Sequence, residues 1–161
     1  MSALADGLLK NTQHEVEIIN VTRLKIGGCV ACDACAKNGG NCVMKDDTKS
    51  VIDKICAADA VIFGSPIYWF GISAQLKAVL DKFHSRSTLF KKQTKKLGFV
   101  AIGEEEITDK QYELIGGQFD CVCDYLGWEK IFGFSYSASA PDDLKKSESA
   151  EMELSEAWKL L

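Results

Sequence analysis

At 161 residues with a net charge of −4, the chain is the size of one domain, and its acidic balance argues against nucleic acid or an anionic membrane as partner. Apolar content of 47% and charged content of 26% are ordinary for a soluble globular protein, and no apolar run approaches the length of a membrane span. Seven cysteines, an odd number without a secretory signal in front of them, point to a reducing compartment, so the expected location is cytoplasmic.

Residues 2–10 read as a helix with Leu4 and Leu8 on one side. Residues 15–21 alternate, with Val16, Ile18 or Ile19, and Val21 apolar, and predict a strand. Residues 23–47 form a long stretch rich in Gly and Cys, an insertion loop within a single domain spanning 1–161; a loop this long inside a domain is usually functional. Asp46-Asp47-Thr48 offers caps for an amphipathic helix carrying Val51, Ile52 and Ile55. Ala60–Phe63 is a short strand closed by Gly64-Ser65-Pro66, and Ser73 caps a helix whose apolar face is Leu76, Val79, Leu80 and Phe83. Between them lies Ile67-Tyr68-Trp69-Phe70-Gly71, unusually apolar for a loop. Such a loop either walls a ligand site at the carboxyl ends of the strands or tucks under its own helix.

Residues 91–96 are a basic turn. Leu97–Ile102 lacks any polar side chain, the pattern of a central parallel strand buried on both faces, and Gly103-Glu104-Glu105-Glu106 ends it. Asp109 caps a helix that runs to Gly127, with Gly116-Gly117 inside it where close packing would be the reason for them. Residues 131–136 are a further strand, and a last helix starts at Ser147 with Leu154, Trp158 and Leu161 on one face. Alternation of this kind predicts a three-layer α/β fold, a parallel sheet with helices on both faces.

Cys29, Cys32, Cys35 and Cys42 have the spacing C-x2-C-x2-C-x6-C. Three thiols at intervals of three in a Gly-rich loop can wrap a corner of an iron–sulfur cube, with the fourth arriving after a short detour. A zinc tetrathiolate and unligated thiols are the alternatives. Cys56, Cys121 and Cys123 lie on helices and read as structural; His14 and His84 have no obvious carboxylate, Ser or Cys partner in sequence and each reads as a surface or helix-end residue.

Gly64-Ser65-Pro66-Ile67-Tyr68-Trp69, followed by Ser73-Ala74-Gln75-Leu76-Lys77-Ala78-Val79-Leu80-Asp81, resembles the NAD(P)H-dependent FMN reductase family of flavodoxin-like proteins. The Cys29/Cys32/Cys35/Cys42 loop, with Asp46-Asp47 close behind, resembles that family's iron–sulfur flavoprotein branch. The resemblance implies a doubly wound sheet that binds FMN at its switch point. Ser65, Pro66, Ile67, Tyr68, Trp69 and Phe70 would meet the isoalloxazine, and Gly103 and Glu104 would close its other side. Three glutamates stand there in place of the family's glycines. The family's first strand and its phosphate loop of the type Gly-Ser-x-Arg-x-x-Gly-Asn-Thr are absent from this sequence, which predicts weak or absent FMN binding and two strand edges in need of a partner.

Two functions follow. The first is an NAD(P)H-dependent FMN oxidoreductase that passes electrons to a [4Fe-4S] cluster, a quinone or another small-molecule or protein acceptor, working as a homo-oligomer, with no side chain acting as general acid or base. The second is a non-enzymatic cysteine–metal module (Fe–S or Zn), an electron carrier or structural element on a truncated flavodoxin scaffold.

Overall fold

The computed structural model describes residues 1–11, 14–140 and 142–161. Helices α1 (Ser2–Asn11), α2 (Thr48–Ala57), α3 (Ala74–Lys82), α4 (Ser87–Phe90), α5 (Lys110–Leu126), α6 (Asp143–Lys146) and α7 (Glu148–Glu156) surround strands β1 (Ala60–Tyr68), β2 (Gly71–Ile72), β3 (Lys96–Gly103) and β4 (Glu129–Ser137). The sheet order is β2-β1-β3-β4; β3 lies between β1 and β4 and runs parallel to both, while the short β2 pairs antiparallel with β1.

The all-apolar run thus occupies the middle of the sheet, where both of its faces are covered. Leu97, Phe99 and Ala101 join a core with Ile52, Ile55 and Phe63 on one face, and Val100 joins Leu4, Leu8, Phe132 and Leu154 on the other. This is the flavodoxin-like three-layer arrangement expected from the alternation of elements. Aromatic rings fill the larger core: Phe119 stacks on Phe99 at a centroid separation of 4.7 Å and on Phe63 at 5.4 Å. Two cross-strand pairs set a glycine opposite a phenylalanine, Gly98 with Phe132 and Gly133 with Phe99. A Cβ on Gly98 would fall 2.5 Å from the Phe132 ring, and one on Gly133 would fall 2.4 Å from the Phe99 ring. Bare backbone at both positions is what lets these rings lie across the sheet.

The helix ends follow local chemistry. The Ser73 hydroxyl accepts from the Leu76 N–H at the start of α3, and Asp109 accepts from the Gln111 N–H at the start of α5. Gly127 closes α5 with φ +71°, a left-handed conformation that glycine adopts without a Cβ penalty.

Three expectations need correction. Strand β1 does not stop at Phe63; it continues through Gly64-Ser65-Pro66 to Tyr68, held by parallel pairing that runs from Ala60 opposite Lys96 to Pro66 opposite Ile102. A proline is tolerated there because, among the described residues, β1 has a ladder partner on one side only until Ile67 meets Ile72. Residues 15–20 form no strand, although their alternation fits one: a strand exists only by pairing, and no described ladder reaches them. A cavity of about 770 Å³ lies instead between this segment and β1, lined by Val16, Ile18, Ile19, Val61, Ile62 and Phe63 among others. Last, close packing does not explain Gly116-Gly117, since a Cβ on Gly116 would meet only Phe99 at 3.9 Å and one on Gly117 nothing within 4 Å.

Two glycine substitutions should therefore act in opposite directions. Gly117→Ala is expected to stabilise the protein by about 0.5–1 kcal/mol, by removing an entropy cost from a helix interior. Gly133→Ala is expected to cost about 1–3 kcal/mol, by forcing the Phe99 ring off its neighbours. Urea unfolding at pH 7 reads both; a loss of stability in Gly117→Ala would show that this position is packed after all.

Candidate functional site

The apolar stretch after β1 is a hairpin. Ile67 pairs with Ile72 and Tyr68 with Gly71, leaving Trp69 and Phe70 as a two-residue turn. Both carry positive φ, +49° and +63°. A tight hairpin turn with two left-handed residues suits Asn-Gly; two bulky aromatics there hold strain of about 1–3 kcal/mol each. The rings point outward, with Trp69 94% exposed and Tyr68 and Phe70 exposed beside it. The loop is therefore not tucked under its helix. It presents aromatic faces to solvent at the carboxyl end of β1.

Ser65 holds this hairpin in place. Its buried hydroxyl accepts from the Ser73 N–H at 2.9 Å and donates to the Pro66 carbonyl at 2.8 Å. Both partners are backbone, so its role is to join the end of β1 to the head of α3. Gly103, at the carboxyl end of β3, lies against the same region: a Cβ there would fall 3.1 Å from Ile67 Cδ1, 3.0 Å from the Tyr112 hydroxyl and 3.3 Å from Gln111 Nε2. Gln111 Nε2 is buried without a hydrogen-bond acceptor among the described residues. Glu104, Glu105 and Glu106 are all exposed and point their charge to solvent, while the Glu105 carbonyl accepts from the Tyr112 hydroxyl at 2.8 Å. The carboxyl ends of β1 and β3 thus combine exposed aromatic faces, a glycine and an unused amide donor. That set suits a flat, polar-edged ring such as isoalloxazine.

The cysteine loop docks at the other end of α3. Cys29, Cys32, Cys35 and Cys42 border one small cavity of about 20 Å³, together with Asp33, Met44, Lys82 and His84. Their thiols are all unbridged, and among the described residues no three ligand groups stand close enough together to hold a metal. The cavity admits about one water, so a cluster would require the loop to open around it. Type and number of donors nonetheless fit a tetrathiolate-bound cluster: four soft thiols facing one space with a cation beside them.

Long-range contacts fix the loop on the helix. His84 Nε2 lies 2.8 Å from Asp33 Oδ1, so His84 is not the partnerless surface residue its sequence neighbours suggest. Arg86 donates to the Gly39 carbonyl at 3.0 Å and to Asn41 Oδ1 at 2.6 Å. Lys82, 2% exposed, reaches Met44 Sδ at 2.9 Å and Cys42 Sγ at 3.5 Å. Asp46 closes the loop's base by accepting from the Gly27 N–H at 2.9 Å and the Thr48 N–H at 3.0 Å. Burial opposes its charge, but its contacts with Thr48 and Gly27, with the Lys82 charge behind them, hold its carboxyl below the usual range. Burial pushes the Cys56 and Cys123 thiols up, as befits packing residues.

Residues 1–113 match the sequence profile of the NADPH-dependent FMN reductase family. The chain belongs to that family. It is similar to an iron-sulfur flavoprotein of Methanocaldococcus jannaschii, 36% identical over 89 residues that cover 55% of this chain and 46% of that protein. A second iron-sulfur flavoprotein, from Archaeoglobus fulgidus, is 27% identical over 154 residues, covering 93% of this chain and 69% of its own length. Several curated relatives are matched over less than half of their length, 36% to 46%. Among solved structures, an FMN-dependent NADH-azoreductase from Bacillus anthracis in complex with FMN superposes with a TM-score of 0.70 at 13% identity, over 98% of this chain and 87% of that one. At that identity the likeness speaks for the fold alone.

Lys82, Arg86 and the His84–Asp33 pair were the contacts that sequence reasoning missed. One signal was present: Lys82 follows Leu76 and Val79 at intervals of three, on the helix face that packs inward.

Asp46 supplies a pH test. A carboxylate whose folded pKa is depressed adds stability above its unfolded pKa near 3.9, and that stability is lost as pH falls through the folded value. Asp46→Asn is expected to cost about 1–2 kcal/mol at pH 7, with the gap to the natural protein narrowing below about pH 4. Urea unfolding at pH 7 and pH 3.5 measures it; a gap that is unchanged at the lower pH would show that the charge contributes nothing.

Proposed function

We propose that this chain is the flavin- and cluster-holding part of an FMN oxidoreductase, in which Tyr68, Trp69 and Phe70 flank the isoalloxazine and Cys29, Cys32, Cys35 and Cys42 hold a [4Fe-4S] cluster. The observation that carries this reading is the arrangement along α3. Its head is tied through Ser65 to the exposed aromatic hairpin, and its tail is gripped by the cysteine loop. Nine helical residues separate the two ends, roughly 14 Å at 1.5 Å per residue. When bound, FMN supplies hydride acceptance from NAD(P)H and release of electrons one at a time, which is what links a two-electron donor to a one-electron cluster.

The chain's own residues bind and orient. Ser65 fixes where the hairpin stands. Trp69 and Tyr68 offer aromatic faces for stacking, and the strained turn keeps those faces outward before any ligand arrives. Gln111 Nε2, buried and without an acceptor among the described residues, together with the backbone at Gly103, supplies donors for a ring carbonyl at the carboxyl end of β3. No carboxylate or histidine is needed as acid or base, because hydride transfer to a flavin is the cofactor's own chemistry. Electrons leave for a small-molecule or protein acceptor such as a quinone, and the exposed aromatic tip suits a homo-oligomer that covers it.

Flavin fluorescence and visible absorption test the assignment. Trp69→Ala, which removes a ring that is 94% exposed, is expected to weaken FMN binding about fivefold, roughly 1 kcal/mol of lost stacking. Anaerobic incubation with iron and sulfide should add a broad cluster absorption that Cys35→Ser abolishes. A chain that takes up iron, binds no FMN and oxidises no NAD(P)H would instead be the non-enzymatic electron carrier.

A further inference from the structure

Lys82 is the most deeply buried cation of the molecule's cysteine end, and its surroundings do not balance it. It is 2% exposed and makes no ion pair with any described carboxylate. Among the described residues, its side-chain hydrogen-bond partners are two sulfurs, Met44 Sδ at 2.9 Å and Cys42 Sγ at 3.5 Å. Thioether and thiol are weak acceptors, and taking an ammonium out of water costs several kcal/mol unless an anion lies close by. Asp46 is near enough to feel the Lys82 charge, but its oxygens are taken by the Gly27 and Thr48 N–H groups. Lys82 lines the cavity bordered by Cys29, Cys32, Cys35 and Cys42.

We infer that Lys82 is a positioning residue for the cluster: a buried counter-ion that sets the electron affinity of whatever the four cysteines hold. This rests on the cluster reading above and goes beyond it. Four thiolates around a [4Fe-4S] core of charge +2 give a net charge of −2, and one electron from a reductant lowers the core to +1 and the whole to −3. A fixed positive charge with N–H groups directed at a ligand sulfur stabilises the −3 state more than the −2 state, so it raises the reduction potential. His84 and Arg86 lie farther along the same stretch but are engaged with Asp33 and with Asp53, Asn41 and Gly39, which leaves Lys82 as the unmatched charge. The arrangement also explains why a lysine stands on the inward face of α3 at all, where Leu76 and Val79 precede it.

The test is a potentiometric titration of the full chain, loaded anaerobically with equal amounts of ferrous and ferric iron and with sulfide, and followed by cluster absorption. A buried ammonium without an ion-pair partner carries a desolvation cost that an apolar side chain does not, and methionine matches the lysine stem, so Lys82→Met is the first variant. At the potential where the natural protein is half reduced, Lys82→Met is expected to show at least a tenfold lower ratio of reduced to oxidised cluster, about 59 mV for a one-electron couple. Lys82→Arg, which keeps the charge, should stay within about threefold of the natural ratio. Lys82→Gln gives the same reading should the methionine variant prove insoluble. A variant that folds by far-UV circular dichroism but takes up no iron, while Lys82→Arg does, supports the same need for charge. An unchanged ratio in Lys82→Met overturns the role of Lys82 and leaves the cluster in place. Failure of the natural protein itself to take up iron and sulfide overturns the cluster reading, and this inference with it.

Discussion

Two serine hydroxyls at the head of α3 hold the functional end of this molecule together. Ser65 accepts from the Ser73 N–H, and Ser73 in turn accepts from the Leu76 N–H. The first bond ties the end of a parallel strand to the residue that starts the next helix; the second gives that helix its cap. Everything beyond them is placed by this join. The strand that carries Ser65 turns back on itself to raise Trp69 and Phe70, and the helix that begins at Ser73 carries Lys82 to the cysteine loop. Both hydroxyls are buried, where a hydrogen bond left unmade would cost about 1–3 kcal/mol.

The cysteine loop is held by polar contacts rather than by a core of its own. Asp46 fastens its base, Arg86 its glycine turn, and His84 its middle. Backbone strain is concentrated in the cysteine loop and at the hairpin tip. Ala31 and Asp33, between the loop cysteines, and Trp69 and Phe70, at the hairpin tip, are the non-glycine residues with positive φ among those described. Strain persists only where surrounding contacts overdetermine the backbone, and here those contacts come from the turn that follows α3, from the start of α2 and from the end of β1. The aromatic hairpin and the cysteine loop are joined through the two ends of α3.

The sheet shows what a strand requires. Residues 15–20 have the alternation of a strand and the apolar side chains of one, and Ile19 and Val21 pack against the main core. Yet they form no ladder, and a cavity separates them from β1. β3 has the opposite fate. Its run of residues without polar side chains fits only a position with neighbours on both edges and helices on both faces, and it found that position between β1 and β4.

Local chemistry determined a good deal by itself. The capping side chains of Ser73 and Asp109, the glycine stop at Gly127, the buried centre strand and the grouping of four cysteines in one loop were all legible, because each depends on residues within a few positions of one another. The Ser65–Phe70 motif likewise pointed to the family. Tertiary structure decided the rest. That β1 runs through Gly64-Ser65-Pro66 was set by its pairing with β3, some thirty-six residues away in sequence, which outweighs a local breaker. That residues 15–20 stay unpaired was set by the cavity that holds them off the open edge of β1. That Asp33 meets His84, and that Lys82 is buried against two sulfurs, depends on a loop folding back across more than thirty-five residues to a helix end. A lysine read along the chain is a surface charge by default; only the packing of that loop turns it into a buried one. Periodicity and caps record what a segment does with itself, whereas the charge balance at the cysteines is a property of which segments touch.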